Sequence, residues 1–257
     1  MRVLVFAAHP DDELIGVGGT IAKLHEKGAN VRVIIYSRGG GGVAAEEPIR
    51  DEHGIEQTRD LETQQVAKYL GFKHITLGIS EIVDRREAVK VAVKIIREFK
   101  PHIVFTHSPY DHHHLHIAVS AVSTEACWQA AAKTYGYLGK PWRVSSVYYY
   151  EVWDLFTRPN LVVDISDTFY KKLEAMKLYK SQLKVFPGIT DYLESLARVR
   201  GYLIGVKYAE AFKLSDILPN ILSEHFKSPI DLDDPLLNGF LETPKGGPFS
   251  RKFESFI

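Results

Sequence analysis

The sequence predicts an α/β protein: a Rossmann-like, mostly parallel sheet with helices on both faces and an extended C-terminal tail. Two observations predict it. Short apolar runs rich in β-branched and aromatic residues recur along the chain, the pattern of strands buried on both faces. Stretches of helical spacing lie between them, and alternation of that kind builds a parallel sheet through right-handed crossovers.

Val3 to Ala8 is the first such run. Gly16 to Lys27 is helical in pattern, with Gly28 placed as its C-cap. Val31 to Tyr36 reads as a second buried strand. Ser37 to Gly54 is rich in glycine and charge and predicts a long mobile loop. A helix over about Gln57 to Leu70 ends at Gly71, and Ile75 to Leu77 is a short strand. Asp84 and Glu87 form a capping pair, after which Ala88, Val91, Ile95 and Phe99 recur at helical spacing. Pro101 ends that helix, and Ile103 to Thr106 is the next strand. A His-rich loop follows, then a helix over about Ile117 to Lys133. Val147 to Val152 and Leu161 to Ile165 read as later strands. Asp167 is expected to cap a helix reaching Gln182, with another over Tyr192 to Ile204. From Leu214 the pattern fades and prolines multiply. Residues 1–213 are therefore assigned to the main domain, and 214–257 to an extension packing on it or on a neighbouring subunit.

The 257 residues are 45% hydrophobic and 25% charged, as in ordinary soluble domains. Lys plus Arg equals Asp plus Glu at 32 each, so charge gives no argument for nucleic acid or an acidic membrane as partner. A single cysteine, Cys127, excludes an intrachain disulfide and fits a reducing interior. The N-terminal apolar run is too short for a membrane span and lacks a cleavage site. A cytoplasmic protein is expected.

Sites in open α/β sheets lie beyond the carboxyl ends of the strands. Two polar clusters fall there. His9-Pro10-Asp11-Asp12-Glu13 follows the first strand, and Asp111-His112-His113-His114-Leu115-His116 follows the Ile103–Thr106 strand. A catalytic zinc takes three protein ligands and keeps a position for water. His9 and Asp12, three apart in a turn, can converge on one ion, and the second cluster offers histidines at 112, 113, 114 and 116 for a third ligand. Asp11, beside Asp12, is the natural base for water. Each cluster also has a plainer reading: an acidic residue after a strand can be a helix N-cap, and a histidine run can be solvated surface. Their placement at corresponding strand ends favours one metal site. Cys127 reads as a buried small hydrophobe. Tyr148 to Tyr150 and Trp153 read as strand and core residues, one of which could stack on a sugar. Gly16, Gly18 and Gly19 invite a dinucleotide reading, but the turn after the strand is acidic, a poor place for a pyrophosphate.

With these residues in view, the sequence resembles the PIG-L/LmbE-like family of zinc-dependent N-acetylglucosaminyl deacetylases, which includes diacetylchitobiose deacetylase-like and bacillithiol-precursor deacetylase-like members. The resemblance spans about residues 1 to 212. It rests on Ala8-His9-Pro10-Asp11-Asp12-Glu13, Gly18-Gly19-Thr20, Ser37-Arg38-Gly39, Arg59 with Glu62 and Leu70-Gly71, Tyr179 with Ser181-Gln182, and Tyr208-Ala209-Glu210-Ala211-Phe212. It implies one zinc per chain held by His9, Asp12 and His116, with Asp11 as general base. It also implies that a protonated His113 stabilises the oxyanion and that Arg59, with Arg38, binds substrate. An amino-sugar substrate and a homo-oligomer, trimeric or hexameric, follow from the same likeness. The sequence departs from the family's second motif at His114-Leu115, where proline and aspartate are usual, and at Gly39 to Gly42, where an acidic residue is commoner. Because the usual aspartate tunes the catalytic histidine, Asp111 is expected to orient His113 here and keep it charged. The rival readings are a deacylase of another amide, such as an antibiotic or a thiol-cofactor precursor, and a non-catalytic nucleotide- or metal-binding protein.

Overall fold

The computed structural model describes residues 1–42, 51–216 and 218. Among these, seven strands form one sheet in the order β3-β2-β1-β4-β5-β7-β6. The strands are β1 (Arg2–Ala7), β2 (Asn30–Ile35), β3 (Lys73–Thr76), β4 (Ile103–His107), β5 (Ser146–Tyr150), β6 (Leu161–Asp164) and β7 (Ala209–Leu214). The first five pair in parallel, while β7 runs antiparallel to both β5 and β6. The helices are α1 (Asp12–Glu26), α2 (Glu52–Leu70), α3 (Arg85–Phe99), α4 (His114–Ala131), α5 (Phe169–Met176), α6 (Lys180–Val185) and α7 (Ile189–Ile204).

Alternation along the strands divides the core in two. Val3, Val5 and Ala7, with Val31, Val33 and Ile35, pack against residues of α1, α2, α5 and α7. Leu4, Phe6 and Ala8, with Ile34 and Tyr36, pack against α3 and α4. Both faces are covered, so the strands read as continuous apolar runs.

Several boundaries differ from expectation. The helix expected from Gly16 begins at Asp12, directly after the acidic turn. Its glycines are contact points and not a phosphate loop: a Cβ on Gly16 would fall 2.2 Å from the Tyr150 ring, and one on Gly19 would fall 2.6 Å from Ile165. The helix expected from Gln57 begins at Glu52, capped by Asp51, which accepts the Gly54 N–H. Asp84 caps α3 as expected, accepting the N–H groups of Arg86 and Glu87. The helix expected over Asp167 to Gln182 is broken into α5 and α6, with Thr168 at the N-cap of α5. Strand β7 was not foreseen. The extension assigned to 214–257 lies outside the described residues beyond Asp216, apart from Leu218, and residues 43–50 of the expected loop lie outside them as well. Among the described residues no helix is long and apolar enough to cross a membrane.

Candidate metal centre and active site

The site is assembled at the carboxyl ends of β1 and β4. After β1 the chain turns through His9-Pro10 into α1. Asp11 makes the turn with φ 118°, ψ −30°, a conformation that costs a non-glycine residue about 1–3 kcal/mol and is held only where its surroundings determine it. After β4 the chain reaches Asp111, and the histidines sit on a helix start where a loop was expected. His113 is the N-cap of α4, with its Nδ1 accepting the Leu115 N–H at 3.2 Å, and His116 lies in the first turn.

These two turns bring donor atoms together. His9 Nδ1 lies 3.2 Å from His116 Nε2 and 3.3 Å from Asp12 Oδ2. His116 Nε2 lies 3.4 Å from Asp12 Oδ1. Donors on a tetrahedral ion about 2.0–2.2 Å from each ligand stand roughly 3.3 Å apart, so the spacing fits a metal ion. Two imidazole nitrogens this close, beside a buried carboxylate, also need a cation or a shared proton between their lone pairs. His9, His113 and His116 form one group able to hold an ion, and Asp12, His107 and His116 another. His107 is committed elsewhere: its Nε2 accepts the Ala8 N–H at 2.9 Å. Burial and the neighbouring His116 push it down to about 4, so it is neutral. It stacks on His116 at 4.0 Å and supports that ring from behind. His107 was missed because the strand was expected to end at Thr106; a histidine at the carboxyl end of a central strand was the available signal.

Asp12 and Asp11 are neighbours in different states. Burial would raise Asp12, but the neighbouring His116, with the His9 ring beside the carboxylate, more than offsets it and holds the carboxyl well below the usual range. Burial pushes Asp11 up to about 7 against the pull of Arg59. Glu13 is also buried and is pushed up to about 8; it accepts the Asp11 N–H at 3.1 Å and the Tyr179 hydroxyl at 2.7 Å.

Three of the expected residues have partners of their own in this geometry. Arg59, expected to hold the sugar, is buried and turned onto Asp11: Nη2 lies 3.2 Å from Asp11 Oδ2 and donates to the Pro10 carbonyl, and Nη1 donates to the Gly39 carbonyl at 3.0 Å. The glycine loop wraps this guanidinium, and a Cβ on Gly39 (φ +74°) would fall 2.2 Å from Nη1. Arg38 does not line the cavity; it pairs with Asp60 on α2. Asp111 does not meet the His113 ring. Its Oδ1 lies 3.1 Å from His116 Nδ1 and accepts the His113 backbone N–H at 2.9 Å, and its Oδ2 accepts the backbone N–H of Trp153. Burial would raise Asp111, but His116 and these N–H groups lower it strongly. His113 is pushed down to about 4 by burial and by His9 and His116, against the pull of Asp12. Leu115, where an aspartate is usual, is buried in the α3–α4 core, as is Cys127.

The cavity over the site holds about 400 Å³ and is lined by His9, Asp11, Asp12, Arg59, His113 and His116, with Glu52, Glu56, Trp153, Gln182 and Phe186. His114 lines it too, whereas His112 does not. Two motifs separated in sequence meet beside it: Ser181 donates its backbone N–H and its hydroxyl to Glu62, at 2.9 and 2.6 Å.

Residues 4–127 match the family model for GlcNAc-PI de-N-acetylase, PIG-L. The chain is 31% identical to diacetylchitobiose deacetylase of Thermococcus kodakarensis over 225 residues, 82% of each chain. It is 27% identical to 1D-myo-inositol 2-acetamido-2-deoxy-alpha-D-glucopyranoside deacetylase of Rhodococcus jostii, over 74% of this chain and 85% of that one. The structure of N,N′-diacetylchitobiose deacetylase from Pyrococcus horikoshii superposes with a TM-score of 0.75 at 28% identity, covering 83% of each chain. Fold, turn motif and relatives agree: the chain belongs to the PIG-L family, the GlcNAc-PI de-N-acetylases.

Proposed function

We propose that the protein is a zinc-dependent deacetylase that removes the acetyl group from an N-acetylglucosamine-containing substrate, releasing acetate and a free amine. The observation that carries the reading is the convergence of His9, Asp12 and His116 beside a buried, arginine-held Asp11 at the floor of an open cavity. The deacetylases among its relatives act on diacetylchitobiose and on a GlcNAc-inositol, and a small amino sugar is the substrate class proposed here. A cytoplasmic, homo-oligomeric state with one zinc per chain belongs to the same reading.

His9, Asp12 and His116 are the residues that would hold zinc. Zinc held there would supply Lewis acidity to the acetamide carbonyl and acidify water. Asp11 takes the proton as water attacks, and a base that titrates near neutrality is suited to that step. Arg59 fixes the Asp11 carboxylate, so its lone pair does not wander from the reacting centre. His113 contributes as a neutral donor and not as the cation first expected. Its Nδ1 accepts the Leu115 N–H, which leaves the ring proton on Nε2, an N–H able to stabilise the developing oxyanion. Asp111 holds His116 through Nδ1 and acts as a positioning residue. Collapse of the tetrahedral adduct breaks the C–N bond, and the proton held by Asp11 passes to the leaving nitrogen.

The test separates ligand from base. Asp11→Asn keeps about one zinc per chain and loses amine release from diacetylchitobiose by about a thousandfold or more, whereas His116→Ala loses both zinc and activity. Metal content by atomic emission and amine release by fluorescamine read the two effects. An Asp11→Asn enzyme with most of its activity rejects the base assignment, and a His116→Ala enzyme with full zinc rejects the ligand set.

A further inference from the structure

An aspartate that opens a helix normally spends its carboxylate there. The N-cap side chain accepts an N–H of the first turn while the backbone stays extended. Asp11 holds that position on α1, and its carbonyl accepts the N–H groups of Leu14 and Ile15 at 2.9 and 2.8 Å. Its side chain makes no cap bond. The backbone turns instead through φ 118°, and the carboxylate leaves the helix end for Arg59. That turn frees a carboxylate for chemistry, but it is a conformation that persists only where the surroundings hold it.

Glu13 supplies the hold. Its Oε2 accepts the Asp11 N–H at 3.1 Å, and its Oε1 accepts the Tyr179 hydroxyl at 2.7 Å. A glutamate that reaches back to the N-cap N–H is half of a capping box, here from the second helical residue and not the third. The other half, a side-chain bond from the N-cap onto the first turn, is the one Asp11 does not make. Glu13 and Tyr179 are fully buried, so water does not replace either partner. Tyr179 also stands 3.4 Å from Thr63 Oγ1, which donates to the Arg59 carbonyl at 2.8 Å. Asp11, Glu13, Tyr179, Thr63 and Arg59 thus close a ring of contacts. It grips Asp11 by its peptide through Glu13 and by its carboxylate through Arg59. Glu13 is not among the residues that line the cavity.

Resting on the reading of Asp11 as the base, we propose that Glu13 is a positioning residue, anchored by Tyr179, that holds the Asp11 peptide in its positive-φ turn and so keeps the carboxylate from closing onto the helix as an ordinary N-cap. Without that acceptor the Asp11 N–H is left unmet in a dry surrounding. The extended backbone, with the carboxylate on the Leu14 N–H, then becomes the better arrangement.

The test compares the zinc-loaded full chain with Glu13→Met, Glu13→Gln and Tyr179→Phe. Methionine keeps the shape and removes both acceptors. Glu13→Met is expected to keep its zinc and to lose kcat on diacetylchitobiose about a hundredfold, with KM within about threefold, because the base is displaced while the ligands stay. Glutamine keeps an oxygen for the Asp11 N–H, so Glu13→Gln returns kcat to within about fivefold of wild type. Tyr179→Phe loosens Glu13 and lowers kcat about tenfold, again with zinc retained. A readout without turnover is the crystal structure of Glu13→Met, in which Asp11 leaves its positive-φ turn and its carboxylate moves from Arg59 to the Leu14 N–H. A folded Glu13→Met with kcat near wild type, or with Asp11 unmoved in its crystal structure, overturns the proposal. Should Glu13→Met not fold, Tyr179→Phe decides: kcat at the wild-type value overturns the proposal, and the tenfold loss at unchanged KM supports it. If wild type releases no amine from diacetylchitobiose, the deacetylase reading fails, and the conformation of Asp11 in Glu13→Met still decides the role of Glu13.

Discussion

Arg59 is 3% exposed, and its guanidinium is divided between the Asp11 carboxylate and the carbonyls of Pro10 and Gly39. A buried pair of this kind is costly to break from one side, because the partner is left as an uncompensated charge. Lysine keeps the charge but is a single ammonium and cannot serve three acceptors in a fork. Arg59→Lys should therefore keep zinc and lower kcat about ten- to a hundredfold, with KM within about threefold, because it loosens the base and not the sugar. Steady-state kinetics with diacetylchitobiose decide this. A raised KM with kcat unchanged would return Arg59 to direct sugar binding. The residue itself was visible in the sequence, but its role was not. Whether an arginine on a helix faces water or a buried carboxylate depends on a residue 48 positions away. The same holds for Asp111: His113 is its nearer histidine in sequence, yet the first turn of α4 brings His116 Nδ1 to its carboxylate and leaves the His113 ring pointing elsewhere.

At the scale of elements, helix ends carry carbonyls without partners, and α4 has an external solution. Arg97 on α3 is 2% exposed and donates to the carbonyls of Gln129, Ala130 and Ala132 at 3.3, 3.2 and 2.8 Å. It also reaches those of Thr134, Tyr135 and Gly139 at 2.7, 2.5 and 3.2 Å. Arg97→Met fills similar space and leaves these acceptors unmet, which should cost about 3 kcal/mol or more of stability. Urea denaturation should show a lower midpoint, while kcat of the folded protein stays within about twofold because the cluster is remote from the cavity. An unchanged midpoint would mean that water satisfies those carbonyls. Buried charge also explains which elements were legible. Apolar runs such as Val3 to Ala8 announce strands without help. Strand β7 has Glu210 as its second residue, 5% exposed, and reads as polar chain. That carboxylate accepts the N–H groups of Gly19 and Thr20 and pairs with Lys172 at 2.6 Å, which in turn donates to the Ile15 carbonyl. A strand whose carboxylate is met by a lysine 38 residues earlier and by backbone N–H groups 190 and 191 residues earlier has no local signature.

For the whole molecule, the proposed zinc site joins the turn after β1, the first turn of α1 and the first turn of α4. In the sequence the two clusters lie about 100 residues apart, yet both were placed on one edge because the strand ends of an open α/β sheet share an edge. Without a cation this junction is electrostatically poor. His9 and His116 face each other at 3.2 Å, Asp11 and Asp12 are both buried, and Asp11 holds a backbone conformation with φ 118°. A ligand that binds only the folded state stabilises by about 2.7 kcal/mol at a hundred times its Kd, and in a chain this size each kcal/mol shifts Tm by roughly 2–4 °C. Chelation should therefore lower Tm by about 5–10 °C, and re-addition of zinc should restore it. His116→Ala should begin at the lower value and respond to neither treatment. Differential scanning calorimetry of both proteins, with EDTA and with excess zinc, gives the comparison. A wild-type Tm indifferent to chelator and to added zinc would mean that the donors are held by the fold alone, and that His9, Asp12 and His116 are not a metal site.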